Sequence, residues 1–220
     1  MATQFSAFHL SSKLKAPFSR MQRARRMDLF LKTMKIRGGE KIIDLGGVDV
    51  FWKDCPYPLE ITIINLPGSE FRKDPDTIHK LTYVEGDACN MPFFADKSFD
   101  IAFSNSVIEH VGPVDKQEAF AREVKRLAPH FWVQTPSIWF PIEAHTHMPL
   151  WWAYPETLKA HFMKQWKSRL PAWAEMIEGT TVILRSELAR MFPNGAFWTE
   201  RFAGFPKSYV IYNAASDQRS

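Results

Sequence analysis

The stretch Lys41–Trp52, read K-I-I-D-L-G-G-V-D-V-F-W, sets the terms for the rest of the chain. Ile42 and Ile43 form a short apolar run of strand type, Asp44 ends it, and Gly46-Gly47 follow at once. A buried strand that runs into a glycine turn and then a short helix lets a nucleotide-sized ligand approach the backbone, because no side chain projects there. Asp44, at the carboxyl end of this strand, is expected to face the crevice where open α/β sheets bind ligands. Downstream, Glu60–Leu66 reads as a second strand ending on Asn65, and Leu81–Asp87 as a third running into Gly86-Asp87-Ala88. Ser98–Ser106 reads as a fourth, followed by Val107-Ile108-Glu109-His110. Each run ends on a small or polar cluster, with spacings that leave room for crossovers. This is the pattern of a parallel sheet presenting one edge of loops.

The blocks D-L-G-G, N-L, G-D-A-C-N-M-P-F and S-F-D-I-A-F-S-N-S-V-I-E-H-V resemble the class I S-adenosylmethionine (SAM)-dependent methyltransferases. More narrowly, they are similar to a bacterial branch of the type-11 methyltransferase group whose first motif ends in Phe-Trp. The likeness runs from about Arg20 to Tyr212. It implies a Rossmann-like, seven-stranded α/β sheet, mostly parallel with an antiparallel last strand and helices on both faces, and SAM as cofactor. It also implies site residues. Asp44, the Gly46-Gly47 backbone and the main chain around Ser104 and Asn105 would hold the methionine end. Asn65 and Leu66 would meet the ribose, and Asp87, with Ala88 and Met91 as apolar cover, the adenine. The chain departs from the common pattern in two respects. Val48 and Val50 stand where the turn often has further glycines, and Asn65 stands where an acid is usual.

With 220 residues, 45% hydrophobic and 24% charged, the chain has the size and composition of one globular α/β domain. No apolar run is long enough to span a membrane. Two cysteines, Cys55 and Cys89, form no disulfide framework and suit a reducing, cytoplasmic setting. The net charge of +4 is unevenly spread: no acid precedes Asp28, while Lys13, Lys15, Arg20, Arg23, Arg25 and Arg26 fall before it. A transit peptide and a nucleic-acid or membrane arm are the functional readings of such a segment. A tail over 1–17 and then a helix from about Phe18, its arginines solvated, is the plainer one. Met27, Phe30, Leu31 and Met34 recur at helical spacing and would pack that helix on the sheet. Nucleic acid is accordingly not expected as a partner, and a small-molecule acceptor is.

Farther on, Gly68–Thr77 is charged and turn-rich, and Asp115–Leu127 is an amphipathic helix with Ala119, Phe120, Val124 and Leu127 on one face. Phe131–Gln134 reads as a fifth strand. The alternation then breaks at Ser137–Pro155, a segment dense in aromatics and proline. Loops of this kind on an α/β scaffold carry substrate-specific structure, so 136–180 is read as an acceptor-site cap within a single domain over 18–220. A helix from about Glu156 to Arg169, a helix over Glu187–Phe192 capped by Ser186, and a closing hairpin of Ala196–Phe202 with Ser208–Asn213 complete the reading.

Methyl transfer is an in-line displacement at an activated sulfonium carbon, so alignment and exclusion of water matter more than side-chain chemistry. Where the acceptor must lose a proton, His110, His145 and His147 are the candidate bases. Trp139, Glu143, Trp151, Trp152 and Tyr154 are candidates for the acceptor pocket. Glu143, His145 and His147 alternate and in an extended segment could face one way as ligands, but aromatic packing and loop hydrogen bonds explain the run as well, and no metal site is expected. Two other readings keep the fold: SAM consumed as substrate by a cyclase or lyase, and a SAM-binding protein without catalysis. A nicotinamide dehydrogenase is disfavoured, since G-x-G-x-x-G is absent and no acid ends the second strand.

Overall fold

The computed structural model describes residues 21–69 and 76–214. The expectations for the tail over 1–17, for the start of the first helix and for most of 68–77 lie outside these residues. A helix occupies 21–34 (α1). Strands β1 (Lys41–Leu45), β2 (Glu60–Asn65), β3 (Lys80–Glu85), β4 (Ile101–Asn105) and β5 (His130–Pro136) follow, with α2 (Val114–Leu127) between the last two. After β5 come α3 (Glu156–Arg169), α4 (Pro171–Glu178), α5 (Arg185–Met191) and the hairpin β6 (Ala196–Phe202) and β7 (Phe205–Asn213). The seven strands form one sheet in the order β3-β2-β1-β4-β5-β7-β6. The first five are parallel, and β7 runs antiparallel to both neighbours.

Alternation along each strand feeds two cores. On one face Met27 and Phe30 of α1 close over Ile42, Trp52, Ile63, Phe103 and Trp132. Phe30 meets the rings of Trp52, Phe103 and Trp132 edge-on at 5.8, 5.2 and 5.5 Å, the arrangement aromatic quadrupoles favour. On the other face, Phe120, Val124 and Leu127 of α2 and Leu188 and Met191 of α5 cover Ile43, Leu45, Ala102 and Val133. Helices thus cover both faces of the sheet. Among the described residues no helix is long and apolar enough to cross a membrane.

Two local expectations are corrected. The cap of α5 is at Leu184, not Ser186: Glu187 reaches back to accept from the Leu184 N–H at 2.6 Å. Nor are all the α1 arginines solvated. Arg26 is buried and its guanidinium donates to Glu200 Oε2 at 2.9 Å, to Gln134 Oε1 and to Asn105 Oδ1. The Ser208 hydroxyl also donates to Glu200, at 2.7 Å. This network ties α1 to β4, β5, β6 and β7 at once.

Candidate functional site

Both glycines of the turn after β1 are sterically required. Gly46 has φ +74, and a Cβ there would lie 2.6 Å from Val107 Cγ2. A Cβ on Gly47 would fall 1.8 Å from Asp44 Oδ2. Asp44 therefore lies beneath the turn. It shares Ile42's side of β1, points into the Trp52 cluster at 1% exposure, and accepts from Trp52 Nε1 at 2.8 Å. Its expected position facing the crevice is corrected accordingly: the carboxylate supports the turn from below. Burial pushes its pKa up to about 7, with the Trp52 bond pulling the other way. Between pH about 4 and 7 the folded chain then keeps a proton that the unfolded chain has released. The contribution of Asp44 to stability is thus present at low pH and falls as pH rises through that window. Thermal melts of wild type and Asp44→Asn across pH 5–8 should diverge accordingly, and a pH-independent difference would mean that Asp44 ionises normally.

The ends of β2 and β3 flank this turn. Asn65 donates from Nδ2 to Gly47 O at 2.9 Å, which leaves its Oδ1 as the acceptor at the tip of β2, with Leu66 exposed beside it. Asp87 accepts from the Cys89 N–H at 2.8 Å and has Lys116 Nζ at 3.4 Å. Burial would raise its pKa, but those two partners outweigh it and hold the carboxyl below its usual range. Ala88 is half-buried against the α2-side core. Met91, expected as adenine cover, is fully buried in that core, its backbone tied to Glu123 and Arg126. The apolar side chain at this edge is Phe93, 56% exposed, whose ring stands 3.2 Å from where a Gly86 Cβ would be. The sequence signal for it was the second apolar position of M-P-F-F. At β4, the Ser104 hydroxyl is buried and spent on Leu45 O at 3.2 Å, and Asn105 Oδ1 is taken by Arg26. Any contact these two make to a ligand is through their main chain.

A second constellation forms where the β4 end meets the loop after β5. His110 and His145 face each other, Nε2 to Nε2, at 3.0 Å. His145 Nδ1 is 2.8 Å from Glu143 Oε1, and His110 Nδ1 is 3.1 Å from the Thr180 hydroxyl. Burial and the neighbouring His145 push the His110 pKa down to about 4 against the pull of Glu143. For His145, burial acts downward but Glu143 and Glu109 outweigh it and raise the pKa. Glu109, absent from the sequence-based candidates, sits alongside. It is 2% exposed, accepts from the Thr135 hydroxyl at 2.9 Å, and burial raises its pKa to about 7. Its E-H pairing with His110 was visible, but its approach to His145 comes only from the fold. His147 does not join this line; it is exposed, on a left-handed backbone (φ +57).

The aromatic loop splits into two parts. Trp151 is buried and meets Tyr154 and Trp166 at 5.6 and 5.3 Å, so it packs among the aromatics of this segment while one side lines the groove along α3. Glu143, expected to touch an acceptor, is buried with both oxygens engaged, by the His145 ring and by the backbone N–H groups of His145 and Thr146. Trp139 is exposed, and Trp152 lines two cavities. One is an open groove of about 650 Å³ that runs along α3 past Lys159, Met163, Lys164 and Lys167 to Ile177. The other, of about 20 Å³, lies against Glu109, Thr135, Glu143, His145 and Thr180.

Residues 63–129, from β2 through α2, match the family described as a methyltransferase domain. No curated protein matches the sequence significantly. Among solved structures, phosphoethanolamine N-methyltransferase 2 of Haemonchus contortus in complex with SAM is similar at TM-score 0.55 and 10% identity, over 86% of this chain and 51% of that one. The chain thus spans about half the length of that relative. Magnesium protoporphyrin IX methyltransferase of Synechocystis with bound S-adenosylhomocysteine (SAH) is similar at TM-score 0.53 and 10% identity, over 96% and 94% of the two chains. A cyclopropane synthase of Mycobacterium tuberculosis gives TM-score 0.52 and 14% identity over 80% and 61%. These likenesses and the strand order show the fold that the chain shares with these structures, and the segment matching a methyltransferase domain lies within it.

Proposed function

We propose that this protein is an enzyme that transfers the methyl group of SAM to a small-molecule acceptor. One observation carries this reading. Three neighbouring strand ends each pair a polar group with an exposed apolar side chain on one edge: the Gly46-Gly47 turn with Val48, Asn65 with Leu66, and Asp87 with Phe93. Bare backbone for a zwitterionic amino acid, an acceptor for ribose, and a carboxylate beside an aromatic for adenine is the donor set that SAM requires. Bound there, SAM supplies an electrophilic methyl carbon on a positively charged sulfur. The work of the chain is then to orient that carbon, keep water out and present the acceptor.

The acceptor side falls to the segment over 136–180, acting as a cap. Trp152 connects the groove along α3 to the wall formed by His110 and His145, where the charge or proton of the acceptor atom would be managed. A groove of this volume, with Trp151, Met163 and Ile177 as apolar lining and a mixed rim on which Lys159 and Lys167 pair with Glu156 and Glu178, suits an amphiphile, consistent with a lipid-like or natural-product acceptor.

Asp87→Ala should weaken SAM binding several-fold in calorimetric titration, and unchanged affinity would remove the adenine assignment. The activity itself is tested by mass spectrometry of the chain incubated with SAM and candidate amphiphiles. SAH together with a methylated product is the expected outcome, whereas methylthioadenosine would mean that SAM is itself the substrate.

A further inference from the structure

The two facing histidines pose a hydrogen-bonding problem that the side chains themselves leave open. The Thr180 hydroxyl gives its proton to Met176 O at 2.8 Å, so toward His110 Nδ1 it can only accept. His110 therefore carries its proton on Nδ1 and a lone pair on Nε2. Glu143 accepts backbone N–H groups on Oε2, and its Oε1 accepts from His145 Nδ1–H. A neutral His145 likewise has its lone pair on Nε2. Two acceptor nitrogens thus point at each other across 3.0 Å. Such a contact is repulsive unless a positive charge lies between them.

A third donor is at hand. A carboxylate oxygen of Glu109 and one ring nitrogen each of His110 and His145 all lie within 4.8 Å of one another. Glu109 is 2% exposed, and its Oε1 has no hydrogen-bond partner. The small cavity against Glu109 and His145 has room for one ion- or water-sized guest. Each ligand is also held from behind: His145 by Glu143, His110 by Thr180, and Glu109 by Thr135. Orientation of this kind by outer-shell partners is what fixes metal-binding imidazoles in one tautomer. Two nitrogens bound tetrahedrally to zinc at their usual distance stand about 3.3 Å apart, close to the separation seen here.

We propose that Glu109, His110 and His145 bind one divalent transition-metal ion of the zinc class. Two imidazoles and one carboxylate leave at least one coordination position open. With the ion seated beside that cavity, an oxygen of the acceptor would fill the open position. The ion site stands on geometry alone; only this role for its open position rests on the methyl-transfer reading.

The test uses the full chain, stripped of metal with a chelator and dialysed. Cobalt(II) added as a probe should give a visible ligand-field spectrum that saturates at one equivalent, and zinc should displace it. His110→Ala and His145→Ala should each lose at least 100-fold in affinity, and Glu143→Gln on the order of 10- to 100-fold, as for other outer-shell partners. His147→Ala should bind as wild type does, and its loss of binding would overturn the ligand set. Should either histidine variant fold poorly, the zinc-dependent rise in melting temperature of the wild type carries the test by itself. No saturable binding at 100 µM by folded wild type would overturn the proposal and leave a proton shared between His110 and His145. Retained affinity in both histidine variants would overturn it as well. SAM titrated into the metal-free chain keeps the two readings apart: binding of SAM without metal binding sinks only the ion site, and the reverse sinks only the methyl-transfer reading.

Discussion

Gly47→Ala is expected to abolish SAM binding and to cost several kcal/mol of stability, the largest effect of any single methyl group added to this chain. The new Cβ would sit 1.8 Å from Asp44 Oδ2, 2.0 Å from Cγ and 2.3 Å from Oδ1, far inside contact distance. Asp44 cannot swing aside as a surface chain would, because it is 1% exposed and its Oδ2 is held by the Trp52 indole. The turn must rise instead, which breaks the Asn65 bond to Gly47 O and lifts the backbone into the space where the cofactor's amino acid would rest. Overpacking of a tight interior ordinarily costs about 1–3 kcal/mol, and here a buried polar bond is lost besides. Denaturant melts and SAM titrations of the variant would read both effects. Removing the obstacle separates the causes: the double variant Asp44→Ala, Gly47→Ala should recover stability relative to Gly47→Ala alone. If Gly47→Ala binds SAM within threefold of wild type, the turn is not the cradle described above.

Arg26→Ala comes second. The guanidinium is the charge partner of Glu200, which is 3% exposed and held otherwise by the Ser208 hydroxyl. Deleting one member of a buried pair leaves an uncompensated charge and costs about 3–5 kcal/mol, whereas replacing both with apolar groups is often close to neutral. Gln134 and Asn105 also lose a donor, and α1 loses its polar tie to the sheet edge. For a chain of this size, each kcal/mol moves the melting temperature by roughly 2–4 °C, so a drop of about 10 °C is expected. Arg26→Met combined with Glu200→Leu should regain most of it. A single variant that melts within 2 °C of wild type would show that the network is dispensable.

The sheet was legible because its strands announce where they stop. Ile42-Ile43, Ile61–Ile64 and Ile101–Phe103 are apolar runs that give way to Gly46, Asn65 and Ser104-Asn105, and the structure ends each strand at or beside those residues. Glu156–Arg169 shows in its own spacing as a helix with the same bounds. Helix α4 falls where the sequence analysis predicts no separate helix, although it carries a start signal, Pro171 at its first position. The site was legible as a set of strand ends, and less so as a set of side chains. Asp44 could be placed at the end of β1, but which face it took depended on which side Trp52 would fill. Met91 and Phe93 differ by two residues, and only the packing of α2 decides which is core and which is rim. The grouping of Glu109 and His110 with His145 joins residues about 35 positions apart through the return of the chain after β5, and no local period encodes that.

The amide of Asn65 has a consequence of its own. One of its N–H groups is given to the carbonyl of Gly47, so the tip of β2 offers a nucleoside a single neutral carbonyl oxygen where an acid would offer a charged pair of oxygens. A vicinal diol brought to that tip finds one oxygen, not two, to accept from its hydroxyls, and no negative charge to strengthen either bond. The grip of this edge on the cofactor's sugar should therefore respond weakly to salt.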